Sequence, residues 1–313
     1  MQCLFRLGDD RPVVTCADGY VRTDGVGRRG LLAGAIALFL APAARAAVAD
    51  AATLVKANSL PSAAMAAYLD QFQDFQRESG APITGDPLFQ AEMAAARATG
   101  ATRLAEGASF LRDDAELSWI ARHYAAQLAA GAPFAHEDAG GRHPGDRIAL
   151  LHRRMVGVNA ENLFTNSVFD PDRAEAAGRL AVDNLMQSPG HRANILDPRW
   201  THAGCGAAAG REGFFLVQLF AERAALLMEA MPVRLSPGTP LPAGCQQAAE
   251  GTFSGLALVP LDREVAAEDF MRPGSATAPT RRGPHRSFFA RTQEMTARTA
   301  KFTIHPGPML LVN

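Results

Sequence analysis

Up to Leu185 the apolar residues of this chain recur mainly at helical spacing, and beyond Gly204 they gather into short runs rich in β-branched and aromatic residues. Helices first and strands later predict an α+β fold rather than an alternating parallel α/β design. A helix is expected from Pro61 to Gly80, with Met65, Tyr68, Leu69, Phe72 and Phe75 on one face. Asp86-Pro87 opens a second, ending at Gly100. Asp113 or Asp114 opens a third through Leu117, Ile120, Ala121, Tyr124 and Leu128, with Gly131 just past its end. Ile148, Leu151 and Met155 mark a fourth, stopped by Gly157, and Asp172 caps a fifth through Ala177, Ala181 and Leu185 to the Ser188-Pro189-Gly190 turn. Strands are expected at Asn159 to Phe164, Gly204 to Ala208, Phe214 to Ala221 and, far downstream, Leu256 to Val259.

Two histidines and a glutamate lie among these elements, too far apart in sequence to meet without a tertiary fold. They stand in an ordered series: Phe134-Ala-His136, Ala160-Glu161-Asn162, and Ser188-Pro189-Gly190-His191-Arg192-Ala-Asn194-Ile-Leu196. Gly204-Cys205-Gly206 follows, and Gly213-Phe-Phe-Leu-Val-Gln218-Leu-Phe220-Ala221 closes it. Imidazole nitrogen ligates zinc and similar divalent ions, and a nearby carboxylate can ligate, orient or accept a proton. Two simpler motifs are excluded. His136-Glu137 followed by His143 lacks the spacing of H-E-x-x-H, with two glycines where a helix is required, and there is no G-x-S-x-G elbow.

The series resembles the CAP superfamily (cysteine-rich secretory proteins, antigen 5, pathogenesis-related proteins), in its bacterial, cysteine-poor branch, over residues 110–222. The resemblance implies an α-β-α sandwich, a small antiparallel sheet between helical layers, with a cavity lined by His136, Glu161 and His191. Eukaryotic members add a second Glu shortly before the Gly-His turn. Ser188 stands at that place here, and Ala160 replaces the usual Gly before Glu161. Asn162, Arg192, Asn194 and Gln218 read as structural, since amides and guanidinium groups commonly tie turns to strands. His143, His152 and His202 match no motif position and are expected as surface or core residues.

Around this domain the chain divides into an export signal (1–46), a helical N-terminal extension (47–109) and a tail (223–313). Arg28-Arg29-Gly30-Leu31-Leu32 resembles a twin-arginine motif, followed by an apolar run to Ala41 and a small-x-small pattern that predicts cleavage after Ala46 or Ala47. That run falls short of the roughly 20 apolar residues of a membrane span, so the mature chain is expected to be exported, periplasmic or secreted, without a transmembrane segment. The tail is rich in proline, and Glu294 is the only acid among its basic residues from Arg272 to Lys301. A loosely ordered tail that can touch anionic envelope polymers or surfaces is expected. Cys205 and Cys245, the cysteines left after cleavage, can form a disulfide in an oxidising compartment. With 31 Lys+Arg against 32 Asp+Glu and no basic stripe, nucleic acid is not an expected partner.

Three function classes follow. The first is an exported binding module holding a small or lipid-like ligand, or an envelope partner, in the His/Glu cavity. The second is a divalent-metal-dependent hydrolase, with His136 and His191 holding an ion such as zinc and Glu161 acting as general base. The third is a structural envelope protein anchored by its basic tail.

Overall fold

The computed structural model describes residues 2–7, 12–16, 19–22, 62–295 and 299–313. In chain order its elements begin with β1 (Gln2–Leu7), β2 (Pro12–Cys16), β3 (Gly19–Arg22), α1 (Ser62–Ser79), α2 (Pro87–Ala105) and β4 (Arg112–Asp113). Next come α3 (Ala115–Ala129), α4 (Pro144–Leu151), β5 (Met155–Asn166), α5 (Ala174–Gln187), α6 (Pro189–Leu196) and β6 (His202–Gly210). The last are β7 (Gly213–Leu226), β8 (Arg234–Leu235), β9 (Gly255–Pro260), β10 (Gly283–Met295) and β11 (Thr299–Val312). No helix among the described residues is long and apolar enough to cross a membrane. The chain divides into two units: Ala66–His152 with Val158–Arg223, and the remaining residues, which include Arg153–Gly157 and Ala224–Asn313.

The first unit is built on a four-stranded sheet in the order β4-β6-β7-β5. β6 and β7 form an antiparallel hairpin from His202↔Ala221 to Gly210↔Gly213, and β4 runs parallel to β6. Strand periodicity assigns the two faces. Cys205 and Ala207 of β6, with Phe214 and Leu216 of β7, pack with Ala91 and Ala95 of α2 and Ala181 and Val182 of α5. Their sequence neighbours Gly204 and Gly206 point the other way, against α3. A Cβ on Gly204 would come 2.4 Å from the Ser118 nitrogen, and one on Gly206 would come 2.0 Å from the Arg122 nitrogen. The sandwich of helix, sheet and helix is therefore present, and α3 approaches β6 closely because β6 has no side chains there.

Caps explain the helix starts. Asp86 accepts from the Leu88 and Phe89 amides (2.7 and 3.4 Å), and Asp114 accepts from Glu116 and Leu117 (both 3.1 Å). Several expected boundaries move. α2 continues through Gly100 to Ala105, because a helix tolerates one interior glycine when it is packed; the Phe110 ring lies over this one. It also belongs to the core of this unit through Ala91 and Ala95, and is not part of an extension. α4 ends at Leu151, and Met155 starts a strand longer than expected. Asp170, not Asp172, caps the short turn that leads into α5. The Ser188-Pro189-Gly190 turn is at once the end of α5 and the start of α6, where Pro189 occupies a first-turn position.

Beyond β4 the edge of β6 is covered by a side chain. Glu92 accepts from the Ala207 amide (2.9 Å) and is held bidentately by Arg122, whose closest contact is 2.6 Å. A carboxylate there satisfies an edge amide and blocks further strand pairing.

The second unit corrects the expectation of a loosely ordered tail. Its sheet runs β3-β2-β1-β11-β10-β9, with β8 pairing parallel to β11. Leu256 and Leu258 pack with Phe289, Leu310 and Val312 on one face, while Ala257 and Val259 pack with Phe288, Ala290 and Ile304 on the other. Both faces are buried, so polar alternation is absent from the sequence. Most of the prolines fall in loops; within strands Pro260 and Pro284 stand at strand ends, and Pro306 at an irregular point of the ladder opposite Phe288. Its basic residues are not simply solvated: Arg281 pairs with Asp262, and Arg291 donates to the Glu250 carbonyl (2.6 Å). The strands β1–β3 come from residues expected to precede the export motif, while the twin-arginine segment and its cleavage site lie outside the described residues.

The expected disulfide is also corrected. Cys205 and Cys245 are both free, each packed in the core of a different unit, and Cys245 donates its S–H to the Ala230 carbonyl (3.2 Å).

At the start of α3 lies a buried charge cluster. His152 lies 3.3 Å from Asp114 Oδ1 and 2.9 Å from Glu116 Oε2, while Arg223 donates to Asp114 Oδ2 (3.0 Å). Burial opposes the His152 charge, but the Asp114 and Glu116 carboxylates outweigh it and the pKa is raised above 6.5. Burial likewise opposes ionisation of Asp114, but His152, the Leu117 amide and Arg223 hold it well below 3.8. The raised His152 value stabilises fully below the unfolded 6.5, and that contribution is lost as pH rises through the folded value. The depressed Asp114 value stabilises above 3.8, and is lost as pH falls towards its folded value. The melting temperature should therefore peak between about pH 4 and 6.5. His152→Gln should flatten the alkaline side of that profile; an unchanged alkaline slope in the variant would show that other groups set it.

Candidate functional site

Strand β5 carries Glu161 and Asn162 on opposite faces, and each organises one half of the site. On one side Glu161 is buried, its side chain only 1% exposed, and both of its oxygens are engaged. Arg147 of α4 donates to Oε2 (2.5 Å), and His136 Nδ1 lies 2.9 Å from Oε1. Arg147, itself 1% exposed, also donates to the carbonyls of His136 (2.9 Å) and Arg142 (2.8 Å) and stacks 3.7 Å from the centre of the Tyr124 ring. The loop bearing His136 is thereby tied to α4 and β5. It is braced again by Asp138, which accepts from the Gly140 and Arg142 amides (both 2.9 Å) and pairs with Arg142 (2.8 Å). The Arg142 guanidinium lies 3.7 Å over Tyr68 of α1, and the Tyr124 hydroxyl donates to the Ala135 carbonyl.

On the other side Asn162 donates to the His191 carbonyl (3.2 Å) and to Gln218 Oε1 (3.3 Å), and accepts from Asn194 (3.0 Å). Gln218 in turn donates to the Thr99 hydroxyl (2.8 Å), and Trp200 donates to the Asn194 carbonyl (2.9 Å). This network seats α6, and His191 in its first turn, against β5 and β7. Arg103, fully buried on α2, holds the far end of α6 by donating to the carbonyls of Ile195 (2.5 Å) and Asp197 (3.0 Å). Those are acceptors that a helix C-terminus leaves unpaired.

His191 comes within electrostatic reach of His136 as a result. Burial, and then the charge of His136, lower the His191 pKa, which keeps its ring neutral near pH 7. Where His136 Nδ1 is engaged by Glu161, its other ring nitrogen, Nε2, is the one left for a further partner. The side chain of His136 is 52% exposed, so the site opens to solvent through this residue.

Of the residues expected to line the cavity, His136 is bonded to Glu161, and His191 lies within electrostatic reach of His136. Ser188 instead marks the α5–α6 junction, where its carbonyl accepts from the Arg192 amide (2.8 Å) and its side chain caps neither helix. Asn162, Asn194 and Gln218 form the tie between turn and strands. Arg192 reaches outward to Glu106 (2.9 Å) at the end of α2. Arg147 and Arg103 escape a reading of the sequence, because a buried arginine has no local signature there. Arg147 does precede the apolar run Ile148-Ala-Leu-Leu151, which is a weak hint that its helix is buried.

The donor set does not fit a resident catalytic zinc. Such sites use three protein ligands and an open position. Among the described residues no group of three or more His, Cys, Asp or Glu side chains could hold a metal ion, and both Glu161 oxygens are already taken.

Residues 96–220 match the family model described as the cysteine-rich secretory protein family. Among solved structures the chain is similar to an extracellular protein with an SCP domain from Bacillus anthracis, at 20% identity and a TM-score of 0.37, covering 45% of each chain. It is also similar to an outer surface protein from Borrelia burgdorferi, at 19% identity and a TM-score of 0.34, covering 41% of this chain and 89% of that one. A cysteine-rich secretory protein from Staphylococcus aureus matches at 17% identity and a TM-score of 0.34, over 45% and 40% of the two chains. This chain thus spans less than half the length of the first and third. No curated protein matches it.

Proposed function

We propose that the chain, whose residues 96–220 match the cysteine-rich secretory protein (CAP) family model, is an exported binding module whose ligand meets the pair His136 and His191. The observation that carries this reading is the state of Glu161. It is buried, paired with Arg147 and bonded to His136, so it orients an imidazole and is held away from bulk water. A catalytic zinc uses three protein ligands, and among the described residues no group of three could hold one. What the site offers is two imidazoles, one fixed and one neutral, on a rigid base beside an open surface. That surface suits a small or lipid-like molecule with a polar head that hydrogen-bonds to imidazole nitrogen.

Export rests on the Arg28-Arg29 motif and the small-residue pattern ending at Ala46. The basic tail is a weaker anchor than its composition suggests, because several of its arginines have internal partners.

The test is to isolate the protein from its own compartment, extract it with organic solvent and analyse the extract by mass spectrometry. One small molecule should recur in every preparation and be lost from the His136→Ala/His191→Ala variant. Clean extracts from repeated wild-type preparations, or recovery undiminished in the variant, would overturn the reading. Zinc titrated at pH 7.5 should bind no tighter than two imidazoles allow and should not generate ester hydrolysis.

A further inference from the structure

A second recess lies elsewhere in the CAP unit, between α2, the β6–β7 hairpin and the segment leading into β4. It is a cavity of about 120 Å³ whose lining includes Met93, Ala96, Phe110, Cys205, Gln218 and Phe220. An apolar cavity of about 150 Å³ is enough to hold benzene.

Two charged side chains stand in the lining, Arg97, which pairs with Glu175 (3.4 Å), and Asp113, and both are exposed to solvent. Gln218 donates to Thr99 and accepts from Asn162. Burial pushes the Cys205 thiol up to about 12, so its sulfur stays protonated and apolar in character. At the mouth stand two exposed hydrophobic residues, Met93 (37% exposed) and Phe110 (72% exposed). The Phe110 ring rests over Gly100, where a Cβ would approach it to 3.1 Å, so the entrance is framed by an aromatic edge and small helical residues. The walls are mainly apolar and the two charged groups stay in solvent, so the recess matches a small apolar molecule better than an ion.

We propose that this recess is a binding site for a small apolar molecule, a single aromatic ring or a short branched hydrocarbon. It is separate from the His136–His191 pair and does not depend on the function assigned to that pair.

The full chain, labelled with ¹³C at its methionine methyls, is titrated with toluene and followed by NMR. The Met93 methyl should shift saturably, while that of the exposed Met228, which lines no part of the recess, should not. Ala96→Phe, which fills the cavity from α2, should weaken binding at least tenfold, and Ala96→Leu should weaken it less. His191→Ala should leave it unchanged, which separates this site from the imidazole pair. No saturable shift at Met93 in the folded wild type, as would also follow if another segment of the chain filled the recess, would overturn the proposal. So would equal affinity in Ala96→Phe. Should that variant fail to fold, equal affinity in Ala96→Leu would have the same force.

Discussion

Arg147→Ala is expected to destabilise the CAP unit by about 3–5 kcal/mol, the cost of leaving one partner of a buried ion pair alone. The mechanism is specific. Glu161, with its side chain 1% exposed, would remain buried facing a vacated space, and the carbonyls of His136 and Arg142 would lose their donor. Chemical denaturation should show a lower midpoint with little change in slope. The loop from Phe134 to His143 should exchange its amides faster, since its main tie to α4 would be gone. A double variant discriminates between pair and packing. Arg147→Met with Glu161→Gln should be less destabilised than the sum of the single changes by more than about 1 kcal/mol, because neither residue is then a stranded charge. Simple additivity would mean that the guanidinium acts mainly through its stacking on Tyr124.

Gly206→Ala should be comparably damaging for a steric reason. Its Cβ would sit 2.0 Å from the Arg122 nitrogen and 2.3 Å from the Ala121 carbonyl carbon. These are backbone atoms in the middle of α3, and no rotamer change can move them. Overpacking typically costs about 1–3 kcal/mol where side chains can yield, so a cost of at least about 3 kcal/mol is expected here, where the whole helix must shift. Gly190 is the control. A Cβ added there would meet nothing within 4 Å, and the residue sits in the first turn of α6, so Gly190→Ala should be neutral or stabilising by up to about 1 kcal/mol. If both substitutions are tolerated equally, the close approach of α3 to β6 is not what holds this face together.

The parts of the fold legible in sequence are those in which one local rule acts alone. α3 has an aspartate cap, a clean apolar face and a terminal glycine, and its residues follow that pattern. β7 is an uninterrupted strand run and is equally readable. α6 is hidden because Ser188-Pro189-Gly190 satisfies the rules for a stop and a start together, and eight residues are too few for periodicity to show. The C-terminal sheet is hidden for a different reason. Leu256 to Val259 face two cores at once, so the alternation that betrays a half-buried strand is missing, and the prolines around it mimic an unfolded segment.

The site divides along the same line. His136, Glu161 and His191 stand out through the motifs that contain them, although spacing alone says nothing of their distance in space. The side chains that give the site its character are Arg147 and Arg103. They act at long range in sequence and look like any other arginine until their partners, Glu161 and the carbonyls closing α6, are brought to them. Sequence therefore indicates which groups belong to the motifs, while the structure shows that Glu161 is buried between Arg147 and His136.

The two free thiols bear on where this protein can mature. The CAP unit contains a single cysteine, Cys205, and burial pushes it and Cys245 up to about 12 and about 11, so both remain thiols rather than thiolates near neutrality. A thiol so reluctant to ionise is a poor nucleophile toward disulfides and oxidants. The fold of this unit, with one cysteine and that one free, thus holds without a disulfide to form or to reshuffle.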